Sequence, residues 1–539
     1  MATVAENSFL LFVYPFLFEA STFEQRVDAI DTRRISIKRR SKSEGAAQTE
    51  SSVPFWLRVS QFPRDEMLAY VADYLNPRNK NAKATAQIWA LNEELENVYG
   101  LFGRRFNWKL HAASIPQPIQ FVFGSKRASD WAAHLMLFRD GVGFLTIWAE
   151  PQSHSVDDWL DLAHFFRFAK GQRKVSIDCE KRAGLDQKTN QQIYEPFFPL
   201  SAERVAVARE DGAVLDMILH SLMDVGTGQW WRDVFVPEQM IPFAIMFIRD
   251  AEPANDLRLA NKVRNFFRGS QGDNPAPEDL EPANPGLIPY AERQWFSLSL
   301  EGGGFLAFDP PETPFYRNTL RDHLRDHYFL VMLLALHQRF KLMDLSQQVA
   351  EKWLIDEDAQ LEEQISEARL QAFGEIRQAF LEFSARGYFT QVMQHEHHHK
   401  FYRKWQEIFQ IKELYEEVRD EVREIHDFLR LNRAEKILRL TEKQQKTMKE
   451  KAEADAAREK RIEKRLRFVG LVFGLPALII AFLGINLVGI TTRDDGLSIW
   501  MALAISIGSG VVGGVIMMLL NIVKGKRPVQ KSAKQLPYS

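Results

Sequence analysis

The sequence predicts an α+β domain leading through a helical hairpin and a long stalk helix into two C-terminal transmembrane helices. Three observations carry this expectation. Phe468 to Ile490 and Leu497 to Val523 hold no charged residue over 23 and 27 positions, and about 20 helical residues suffice to span a bilayer core. The 57 positions from Ile411 to Arg467 contain neither proline nor glycine. Short apolar runs bounded by turn residues fill the first 310 positions.

The expected organisation is therefore an α/β domain over 1–310, a helical hairpin region over 311–410 and the stalk over 411–467. The two spans follow at 468–490 and 497–523, joined by a loop at 491–496 and closed by a basic tail at 524–539. At 539 residues the chain exceeds what one hydrophobic core organises. Lys and Arg number 69 against 71 Asp and Glu, a net charge of −2, which excludes a polycation, and no nucleic-acid partner is expected. The single cysteine, Cys179, excludes an internal disulfide and a cysteine-ligated metal cluster.

Phe9 to Phe18 is apolar but lacks a basic lead-in and a small-residue cleavage site, so it reads as a buried strand, with Pro15 indicating an edge or a bulge. Further strands are expected at Phe55–Val59, Ile119–Phe123, Phe144–Trp148, Phe243–Ile248 and Trp295–Leu300. Arg139-Asp140-Gly141 and Glu301-Gly302-Gly303-Gly304 read as hairpin turns. Helices are expected near Ala84–Val98, Ser155–Ala169 and Ala213–Leu222. The segments Lys38–Ser52 and Gly269–Gly286 have loop composition. No phosphate-binding Gly-x-x-x-x-Gly-Lys, nucleophile elbow or His-Glu-x-x-His occurs, so an enzyme is not expected.

In the stalk, apolar residues recur at Ile411, Leu414, Tyr415, Val418, Val422 and Ile425, one helical face, before a run rich in Ala, Glu and Lys. Such a helix is about 85 Å long and has no breaker before Phe468. The segment Arg458–Arg467 carries six basic residues against two glutamates, and Lys524–Lys534 carries five basic residues. These flanks place both termini in the cytoplasm of a multi-pass protein of the cell inner (plasma) membrane.

A long helix running into a C-terminal hairpin, with Gly484-Ile485-Asn486 near the outer end of its first span, resembles the CorA-type divalent cation channels, and the isoleucine resembles the zinc-transporting ZntB branch. The resemblance implies a homo-oligomer, a pentameric funnel in membrane lipid, that passes Mg or Zn as transported or regulatory cation and holds no tightly bound cofactor. It implies that Asn486, with Gly484 and Ile485, forms the pore mouth. Asp494 and Asp495 in the outer loop would attract cations, although Arg493 stands beside them. Val472, Leu475, Ile479, Phe482 and Leu483 would line an apolar pore, or equally face lipid. Asp356, Glu357 and Asp358 are the candidates for sensing the cation, with a solvated helical face as the plainer reading. His395, His398 and His399 are candidate ligands for a borderline metal. The first 310 residues exceed what such channels need. They suit a small nucleotide ligand, as in the enlarged CorA-like membrane effectors of type III CRISPR defence that answer nucleotide second messengers.

Overall fold

The computed structural model describes residues 2–39, 49–59, 66–77, 84–95, 106–124, 127, 130–168, 175–185, 192–197, 214–225, 228–233, 239–271, 275–354 and 362–487, with 504 and 508. They fall into two units, Met1–Leu429 and Arg430–Ser539.

The first unit is organised around the strand Phe9–Leu17, whose nine residues are all buried. Its side chains part to two cores, Leu10, Phe12, Tyr14 and Phe16 on one face and Phe9, Leu11, Val13 and Leu17 on the other. That is the period-two alternation of a pleated strand, and burial on both faces requires apolar residues throughout. Val142–Pro151 pairs antiparallel with one edge and Ile241–Arg249 with the other. Gly302–Phe308 runs parallel to Ile241–Arg249, and antiparallel ladders extend both flanks to a mixed sheet of 15 strands among the described residues.

Pro15 lies inside the sheet, not at an edge strand. The ladder to Ile241–Arg249 stops at Val13, and the short strand Arg232–Asp233 pairs only with Leu17 and Phe16. Among the described residues none stands opposite Pro15 on that side, so its missing N–H breaks no described ladder bond there. The expected turn at Gly141 joins Ala133–Phe138 to Val142–Pro151, with Gly141 at φ 94°. The triple glycine is not the turn itself. It opens the strand Gly302–Phe308, where a Cβ on Gly304 would lie 2.0 Å from the Ala244 carbonyl oxygen. The helix expected over Ala84–Val98 is instead the strand Ala86–Leu91 and the short turn Glu93–Leu95, because pairing on both sides, with Trp56–Arg58 and Ala133–Phe138, overrides local propensity.

Helices cover both faces of the sheet. Val156–Phe166 and Val214–Met223 pack on one core. On the other, a helical run from Phe315 leads through π-helical turns at Phe315–Thr319 and Leu324–Tyr328 into the core helix Phe329–Leu354. Glu362–Arg386 and Glu396–Ile408 pack beside the core helix.

Two ionic ties register this layer on the sheet. Asp130, fully buried, accepts hydrogen bonds from Arg321 Nη2 and Arg325 Nη1, each at 2.6 Å, and the Arg321 guanidinium lies over the rings of Phe9 and Trp148. Asp140, at the turn before Val142, lies 2.7 Å from His337 Nε2, and its carbonyl accepts from Lys341 Nζ at 2.9 Å. Lys341 also donates to Asp344, which accepts from Arg232.

Among the described residues no helix is long and apolar enough to cross a membrane. The 77-residue helix Ile411–Leu487 contains the breaker-free stretch, but it is charged as far as Arg467. This corrects the fold class of two transmembrane helices in a funnel, the multi-pass inner-membrane placement with cytoplasmic termini, and the membrane-protein and ion-channel readings. Residues 488–503, 505–507 and 509–539, with the 491–496 loop and nearly all of the second expected span, lie outside the described residues.

Replacing Asp130 with Ala takes from the buried Arg321 its carboxylate at the sheet–helix boundary, while Arg325 keeps Asp326, and we expect urea unfolding to show a loss of about 3–5 kcal/mol; a loss under 1 kcal/mol would refute the anchoring role. Burial pushes the Asp140 carboxyl up, but His337 and Lys341 outweigh it and hold the group below its ordinary value. A depressed carboxylate stabilises the fold above its unfolded value and loses that contribution as pH falls through the folded one. Asp140→Asn should therefore cost about 1–3 kcal/mol at neutral pH, with the gap to the parent closing on acidification below the carboxylate range.

Candidate ligand groove and histidine cluster

The helix Glu396–Ile408 positions both features. His398, Phe401, Tyr402 and Trp405 recur at three- and four-residue spacing and are buried, which fixes the rotation of the helix against the core. Tyr402 donates to the Phe389 carbonyl at 2.9 Å, and Gln406 Nε2 donates to the same carbonyl and to Gln338 Oε1. Gln338 in turn donates to the Gly387 carbonyl at 2.9 Å. The loop before the helix is thus held by side chains from two helices.

On its outer face the helix forms one wall of a groove of about 920 Å³, closed by Leu287–Pro289, the loop around Thr390 and the first turn of the long helix at Ile411–Glu413. Lys400, Arg403, Lys404 and Lys412 line it against two carboxylates, Glu407 and Glu413. Lys404 pairs with Glu407 and Lys400 with Glu396, each at 2.7 Å. Arg403 and Lys412 make no ion pair with any described residue, which leaves the groove with uncompensated positive charge. Between the two helices Gln410 adopts φ 53°, a left-handed conformation that side chains other than glycine rarely take. The groove therefore straddles a strained joint.

The inner face carries imidazoles. His398 is fully buried, and neither of its ring nitrogens is hydrogen-bonded. Glu66 Oε2 lies 3.0 Å from its Nδ1, off the axis of a hydrogen bond. Its ring centre stands 4.2 Å from that of His397 and 5.8 Å from that of His327, which is 5.0 Å from His323. Burial, then the neighbouring His397, His327, His323 and His395, pushes the His398 imidazole down to about 3.

Of the residues the sequence singles out, His395 stands at the N-terminal boundary of the helix and His398 faces the core, whereas His399 lines the groove on the other side. His323 and His327 complete the cluster from more than 65 positions upstream and carry no local sequence signal. Asp356, Glu357 and Asp358 lie outside the described residues, as do Asp494 and Asp495. Gly484, Ile485 and Asn486, with Val472, Leu475, Ile479, Phe482 and Leu483, fall within the last turns of the helix Ile411–Leu487. Among the described residues no group of three or more His, Cys, Asp or Glu side chains could hold a metal ion.

No protein-family model, curated protein or solved structure matches this chain.

A β-branched residue at the joint tests its strain. Gln410→Val should lower stability by about 1–2 kcal/mol, whereas Gln410→Gly should not. Thermal unfolding of the two variants separates them, and equal midpoints would refute the left-handed joint.

Proposed function

We propose that the chain is a non-enzymatic, ligand-responsive binding protein. Residues 1–429 take a small phosphate-bearing anion, a nucleotide by class, in the groove beside Glu396–Ile408, and its occupancy sets the joint that leads into the long helix. The observation that carries this reading is the excess of cations across the joint. Arg403 belongs to the helix before Gln410 and Lys412 to the helix after it. A ligand bridging the two interacts differently with different joint angles, the condition under which a ligand shifts a conformational equilibrium. An arginine fork and ammonium groups are the donors suited to phosphate. The output we assign to the long helix is assembly with further copies of the chain, which is supported by the exposed apolar side chains Leu431, Ile437, Leu438, Leu440 and Met448 along it.

The test is calorimetric titration of the full chain with ATP and with a cyclic oligoadenylate, beside sedimentation to read assembly. One charged hydrogen bond to phosphate contributes about 1.5–3 kcal/mol, so reversing the charges in Arg403→Glu/Lys412→Glu should weaken binding at least about tenfold. Both residues are exposed, so the variant should fold. Absence of binding by the parent, or affinity unchanged in the variant, defeats the proposal.

A further inference from the structure

Of the described ionisable side chains that line the groove, only His399 is of a type that ordinarily changes charge near neutral pH. It stands in the first turn of the helix Glu396–Ile408, its amide donating to the His395 carbonyl at 3.0 Å, and Arg403 follows it by four residues. Residues four apart share a helical face, so the imidazole and the Arg403 guanidinium line the groove as neighbours, with Lys412 opposite them across the joint. The ring is half-buried, and its Nδ1 is buried without a hydrogen-bond partner. Buried polar atoms are normally satisfied, so the groove wall holds hydrogen-bonding capacity that the fold leaves unused.

The field around His399 comes from three elements. Its own helix contributes Arg403, Lys400 held by Glu396, and Lys404 held by Glu407. The long helix contributes Lys412 and Glu413, the loop around Thr390 contributes the Tyr388 hydroxyl, and Leu287–Pro289 contribute no charge. Burial, then the charge of Arg403, holds the imidazole below its ordinary value, and the positive end of the helix dipole acts in the same direction. An anion seated between Arg403 and Lys412 reverses this field, because a negative charge within about 4–6 Å favours the protonated ring. Both nitrogens of an imidazolium are donors.

We infer that His399 is a third donor to the anion of the groove and takes up a proton as the anion binds, an assignment that rests on the anion-binding reading given above. The sign follows from linkage. A ligand that binds the protonated form better raises the affinity of the ring for its proton, and protonation raises the affinity for the ligand by the same factor. The groove therefore fills more readily on the acid side of neutrality than on the alkaline side.

Titrating the full chain with ATP and with a cyclic oligoadenylate, in pairs of buffers of different ionisation enthalpy, counts the protons taken up per ligand bound. With a ligand that binds, the parent should take up a measurable fraction of a proton more than His399→Gln, whose neutral side chain keeps a hydrogen-bond donor. The ratio of parent to His399→Gln affinity, in which the ligand's own titration cancels, should rise about tenfold from about pH 8 to about pH 5.5, the effect of about one charge-assisted hydrogen bond. His399→Lys, with a fixed charge, should bind at the alkaline end at least as tightly as the parent and show no extra proton uptake, a rescue that a merely structural histidine would not give. Binding that weakens in Arg403→Glu/Lys412→Glu but shows equal proton uptake and a constant affinity ratio for parent and His399→Gln would overturn the role of His399 and leave the groove standing. No binding of either ligand by the parent would overturn both.

Discussion

The rest of the structure depends on the burial of one strand from both sides. Phe9–Leu17 exposes no face to water, so neither surface of the sheet is left to solvent at its centre and each must carry a helical layer. Val142–Pro151, also buried along all ten residues, continues the constraint to its neighbour. A fully buried large apolar side chain contributes about 1.5–3 kcal/mol by its removal from water, most of it offset by the entropy of ordering the chain. The surplus belongs to the whole layered assembly, since no one layer buries its apolar side without the next. The core helix shows the same logic. Every residue from Phe329 to Leu336 is buried, because the sheet takes one side and the helices Glu362–Arg386 and Glu396–Ile408 take the others.

Apolar layers of this kind fix distance better than register. Register comes from the polar groups set among them, each satisfied by a partner in the adjoining layer. Asp130 holds two arginines of the turn that precedes the core helix, Asp140 holds His337 and Lys341 of the helix itself, and Gln338 holds the loop at Gly387. Buried charge contributes little net stability yet tolerates few alternative arrangements, because any slip leaves a charge without its partner. His398 breaks this pattern at the same interface, and the exception is informative for that reason.

Much of the sheet was legible in the sequence. The strands at Phe9, Ile119, Phe144, Phe243 and Trp295 are announced by apolar runs, and the turn at Gly141 by its composition. Ala86–Leu91 was not, since Ala, Gln and Leu favour a helix locally and only its two ladder partners make it a strand. At the histidines, the sequence displayed a run from 395 to 399 that points several ways around a helix. Only in the fold does the spacing of His398 to Phe401, Tyr402 and Trp405 single it out as the inward ring. His323 and His327 could not be found in this way, because the fold, not the chain, brings them there. The uncharged stretch after Phe468 misled, because among the described residues no helix is long and apolar enough to cross a membrane.

The groove and the histidine cluster occupy opposite faces of a single thirteen-residue helix, Glu396–Ile408. That helix is held on its inner face by Phe401, Tyr402 and Trp405 and ends at the left-handed Gln410. Packed interiors do not deform continuously, so a force at either face moves the helix as a body or not at all. Any rotation of the helix as a body displaces Arg403 relative to Lys412, because the two cations stand on the two sides of the same joint. Under the proposed function, the joint at Gln410 is the place where occupancy of the groove would be passed to the long helix.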